Sequence, residues 1–94
     1  MEIESRIYHA NRAKEVLENE AFVEAMRSIK EEITNQWKES PSRDVEGRQS
    51  LWVMLKITEK LEATLRTTME TGKLAQLELD HKRTLLERAR ELIG

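Results

Sequence analysis

The chain has no cysteine, one proline, three glycines and only 4% aromatic residues. Without cysteine there is no disulfide framework, no thiolate nucleophile and no cysteine-ligated zinc, so a small chain must take its stability from packing or self-association. The glycines, Gly47, Gly72 and Gly94, stand far apart, which excludes a glycine-rich phosphate loop. No apolar run approaches the roughly 18 residues of a membrane span, and MEIESRIYHANRAKEV lacks the basic start and apolar core of a secretion signal. An intracellular chain with no membrane partner is the expectation. Charge of one sign is missing as well: 16 Lys and Arg stand against 18 Asp and Glu, a net charge of -2. Nonspecific nucleic-acid binders usually carry a basic excess, so a polyanion partner is not favoured.

Ninety-four residues with 38% hydrophobic and 36% charged side chains suit one domain of slender, well-solvated helices. Apolar or small residues at Ile7, Ala10, Ala13 and Leu17 form one stripe of a first helix over residues 4–18. Asn19 can end it or cap the next. A second helix over 20–38 carries the stripe Phe22, Met26, Ile29, Ile33 and Trp37. Pro41 stops it, giving a turn at 39–43; Asp44 is the expected N-cap of a third helix, with Ser40 as the alternative start.

The third helix, 44–92, continues the stripe through Leu51, Leu55, Leu65 and Met69. Trp37 and Trp52 flank the turn, and their spacing suggests a buried aromatic plug, with a partner-binding patch as the other reading. At Gly72 the helix either runs through, straight or kinked at 71–73, or turns. In the first case Leu65, Met69, Gly72, Ala75, Leu79, Leu86 and Ile93 share one face, a candidate interface for another chain. A continuous helix would span about 75 Å, far more than two shorter helices are expected to cover. In the second case Leu74, Leu77, Leu85, Ala89 and Leu92 build a fourth helix that closes a bundle. The fold class is thus all-α, a helical hairpin or bundle of three to four helices.

Chemistry-bearing patterns are sparse. His9 and His81 lack the spacing that puts two ligands on one helical face, and Glu78-x-x-His81 is the only Glu-x-x-His, where a di-metal bundle needs two. No G-x-S-x-G is present. No catalytic residue, metal, cofactor or small-molecule substrate is expected. Lys82, Arg83, Arg88 and Arg90 are the candidate nucleic-acid contacts, diluted by Glu78, Asp80, Glu87 and Glu91.

Three segments, ANRAKEVLENEAFVEAM, QWKESPSRDVEGRQSLW and LKITEKLEATLRTTMETGKLAQLEL, resemble a family of small tailed-phage and prophage proteins. The likeness spans about residues 10–79 and rests on Trp37, Ser40, Pro41, Arg43, Asp44, Gly47, Arg48, Leu51, Trp52, Glu70, Gly72, Lys73, Leu74 and Ala75. It implies a phage context, in the host cytoplasm or the virion, and an accessory or structural role in virion assembly. On that footing Arg43 would bond the last carbonyls of the second helix while Asp44 caps the third, and Gly47 would admit a close neighbour. The function expected is a non-enzymatic helical protein acting through protein–protein association, as a homo-oligomer or on another phage or host protein. The alternatives are a DNA-binding or packaging accessory and an inhibitor of a host or defence protein.

Overall fold

The computed structural model describes residues 2–93 and consists of three helices: α1 (Ile3–Glu18), α2 (Glu20–Glu39) and α3 (Val45–Ile93). The molecule is 77 Å long and 25 by 16 Å in cross-section. A 49-residue helix alone accounts for about 74 Å of that length.

Asn19 alone links α1 to α2. Its extended backbone (φ -70°, ψ 121°) breaks the helix, and its side chain then starts the next one by accepting a hydrogen bond from the Phe22 amide at 3.1 Å. An antiparallel helical hairpin needs about 2–5 connecting residues, so a one-residue link cannot fold α1 back onto α2. The two helices instead follow one another along α3. The second connection is a true reversal. Ser40, extended before Pro41, closes α2 by donating its amide to the Gln36 carbonyl at 2.9 Å, and Asp44 opens α3 by accepting the Gly47 amide at 3.0 Å.

The antiparallel register is read from cross-helix contacts. Arg48 of α3 bonds Trp37 and Ser40, Lys30 of α2 pairs with Glu62, Gly72 meets Ala10 of α1, and Arg6 lies 3.6 Å from Glu78. α3 therefore runs unbroken through Gly72, with neither the turn nor the fourth helix. Nor is everything beyond Gly72 left bare, because α1 covers α3 as far as Leu79. The uncovered part is the last stretch, 80–93, about 21 Å of helix.

The core is thin. Buried apolar residues are Ala10, Ala13, Ile33 and Ala75, joined by Gly72. Phe22, Met26, Leu51, Leu55, Leu65, Met69 and Leu79 are half-buried. The expected tryptophan plug is not formed: Trp37 and Trp52 remain 46% and 57% exposed. A hairpin two helices thick has no third wall to enclose an indole, and both rings lie along its flank.

Candidate association surface

The turn is locked by Arg48. Its guanidinium donates to the carbonyl oxygens of Trp37 (3.1 Å) and Ser40 (3.2 Å) and to Ser40 Oγ (2.9 Å), and stacks 4.0 Å from the Trp37 ring. The Trp37 carbonyl oxygen, which also accepts from the Ser40 amide (3.3 Å) and hydroxyl (2.6 Å), and the Ser40 carbonyl oxygen are thus tied to a cation from the next helix. Sequence reasoning gave that task to Arg43, which is exposed; Arg48 holds it because one turn into α3 its side chain points back across the hairpin. Gly47 is close to its own cap rather than to a neighbouring helix: a Cβ there would lie 2.3 Å from Asp44 Oδ2.

At Gly72 α1 and α3 come close together. A Cβ added to it would fall 1.9 Å from the Cβ of Ala10 and 3.0 Å from the Arg6 carbonyl oxygen. Together Ala10, Ala13, Gly72 and Ala75 form a small-residue seam along which α1 lies on α3. The close neighbour expected at Gly72 and Ala75 is therefore α1 of the same chain. Of the other candidate interface residues, Leu65, Met69 and Leu79 are half-buried beneath α1 and α2, whereas Leu86 and Ile93 lie on the bare end, 62% and 88% exposed.

Charged side chains pair both along and across the helices. Lys30 and Glu62 pair across the α2–α3 groove, with Arg66 4.0 Å from Glu62 on its other side. Hydrogen bonds to Glu24 and then Glu31 hold the Arg27 guanidinium above its ordinary pKa; at Arg12, hydrogen bonding with Tyr8 and then the charge of Glu15 act in the same direction. Both groups stay cationic through the physiological range, so neither is a switch. Among the described residues no group of His, Asp or Glu could hold a metal ion, and no helix is long and apolar enough to cross a membrane. At about 100° per residue Lys82, Arg83 and Arg90 fall within about 100° of one another on α3 while Arg88 lies about 120° or more from each, and Lys82 is 3.7 Å from Glu78. These four cations do not form a single basic face.

What the structure does present is apolar surface. Val53, Met54, Ile57 and Leu61 near the turn, and Leu85, Leu86, Leu92 and Ile93 at the far end of α3, are all exposed. No family model, curated protein or solved structure was found to match the chain.

Proposed function

We propose that this chain is a non-enzymatic helical protein that works by packing its bare α3 surface against further helices, as a structural or assembly component. One observation carries the reading. The accessible surface is 7,675 Å² for an 11.1 kDa chain, whereas a compact monomer of that mass exposes about 5,700 Å². The excess, about 2,000 Å², falls within the roughly 1,000–2,500 Å² that each partner contributes to an obligate interface. Only about half of the unfolded chain's surface is buried, against roughly 60–70% in domains of comparable size. The resemblance to small tailed-phage proteins adds a setting, virion assembly.

Light scattering behind size-exclusion chromatography tests the association. The expected mass is at least twice 11.1 kDa, at low and high salt alike, because the surface is apolar. A single 11.1 kDa species at micromolar concentration overturns the reading.

A further inference from the structure

Among the exposed apolar residues of α3, Met54, Ile57, Leu61, Leu85 and Leu92 share one register, whereas Val53, Leu74, Leu77, Leu86 and Ile93 fall outside it. Met54, Ile57, Leu61, Thr64, Thr68, Thr71, Ala75, Glu78, Lys82, Leu85, Ala89 and Leu92 follow one another at alternating steps of three and four, which places them along a single stripe. This stripe runs beside the seam that receives α1 and α2 and meets it at Ala75, which α1 buries. Its large apolar residues, Met54, Ile57, Leu61, Leu85 and Leu92, are between 46 and 88% exposed. Its apolar ends are placed symmetrically about Lys73, while nearer the middle Thr64 falls opposite Lys82 and Thr68 opposite Glu78. In an antiparallel copy of the same helix, Met54 falls opposite Leu92, Ile57 opposite Ala89, and Leu61 opposite Leu85.

We propose that two copies of this chain pair through antiparallel packing of their α3 helices along this stripe, with a twofold axis near Lys73. The proposal rests on the association reading above and names its partner. Such an interface is isologous and closed, so one patch serves both copies and no further copy is recruited. The bare 80–93 end of each copy comes to lie over the apolar patch beside the turn of the other. Each protrusion thus covers the surface that would otherwise be its partner's exposed liability.

The middle of the stripe is prepared for burial. The hydroxyls of Thr64, Thr68 and Thr71 bond the carbonyl oxygens of Lys60, Thr64 and Thr67 at 2.8, 2.9 and 2.9 Å. Each is satisfied within its own helix, so its methyl group can meet a second helix without stranding a polar atom. The two charges in the stripe are also accounted for within the chain. Glu78 lies 3.6 Å from Arg6 and 3.7 Å from Lys82. α1 already covers Ala75, so near the axis the second copy meets the outer edge of the stripe at Thr64 and Thr71. That leaves α1 and the second α3 on adjacent sides of α3, the arrangement of neighbours in a four-helix bundle.

The chain lacks cysteine, so paired cysteines report the geometry directly. Full-length Ile57→Cys and Ala89→Cys, refolded together and oxidised, should give a disulfide-linked species of twice 11.1 kDa that neither variant gives alone. Leu86→Cys should not link to itself, because its two copies lie about 40 Å apart in this arrangement. A dimeric mass without the mixed cross-link, or with Leu86→Cys joined to itself, overturns antiparallel pairing and leaves association standing. A monomeric mass for the unmodified chain overturns both.

Discussion

Gly72→Ala separates two accounts of a glycine in the middle of a long helix. A helix-interior glycine with free space around it is destabilising, and alanine there stabilises by about 1 kcal/mol. At Gly72 the space is occupied. The new Cβ would lie 1.9 Å from the Cβ of Ala10 and 3.3 Å from its Cα, whereas nonbonded carbons settle about 3.5–4.0 Å apart. α1 must withdraw by about 1.5–2 Å, since neither atom has a rotamer through which to escape. Overpacking of this kind costs about 1–3 kcal/mol. Set against the helical gain of about 1 kcal/mol, the expected net effect is a loss of up to about 2 kcal/mol, read from urea unfolding followed by circular dichroism at fixed protein concentration.

Ala10→Gly supplies the control. It removes the atom at 1.9 Å and leaves the Arg6 carbonyl oxygen at 3.0 Å as the tightest contact. In that background Gly72→Ala should become neutral or stabilising, giving a favourable coupling of about 1 kcal/mol or more between the two positions. If Gly72→Ala raises the stability of the unaltered chain by about 1 kcal/mol, α1 does not lie on α3 at this point and the packing described here is wrong.

Three further outcomes are expected. Arg48→Ala removes the Nη1 contacts with three acceptor oxygens and the stacking on Trp37, and should cost about 1–3 kcal/mol in the same unfolding assay; an effect below about 0.5 kcal/mol would show that the turn closes without it. Asp44→Ala should cost about 1 kcal/mol as a lost N-cap, while Asp44→Asn should recover most of it; equal losses in the two would refute a cap role. Acrylamide should quench both tryptophans efficiently in the native protein, since Trp37 and Trp52 are 46% and 57% exposed; native emission shielded from the quencher would restore the buried plug.

The helices were legible in the sequence because each signal was local. The apolar steps of three and four, the capping side chains of Asn19 and Asp44, and the stop at Pro41 act within one turn of where they stand. Gly72 was legible in kind but not in partner. A small residue announces that a backbone comes close, yet says nothing of whose. The answer lay in the single residue between α1 and α2, which forbids a local hairpin and sends α1 along α3. The tryptophan plug failed for a related reason: aromatic spacing shows which residues could be enclosed, but enclosure depends on the number of neighbouring helices. Arg48 rather than Arg43 closes the turn because the reach of a side chain across a hairpin depends on register, which a linear pattern of charges does not contain.

The thinness of the core and the exposed stripe have a common cause. Two helices can approach closely only where their facing residues are small, so the seam at Ala10, Ala13, Gly72 and Ala75 brings α1 and α3 together while removing little apolar area from water. Apolar burial stabilises by about 25 cal/mol per Å², and a seam of alanine and glycine therefore contributes less than the same length of leucine would. The larger side chains are displaced to the edges of the contact, half-covered, or to the neighbouring stripe at Met54, Ile57, Leu61, Leu85 and Leu92, which the chain itself never covers. A helix with apolar residues on two adjacent stripes needs two neighbours, and this chain supplies one. Its stability and its association should for that reason be coupled, with the unfolding midpoint rising as protein concentration rises. An unfolding midpoint unchanged across a hundredfold range of concentration would mean that the seam with α1 and α2 is sufficient, and that the second stripe has no part in holding the fold.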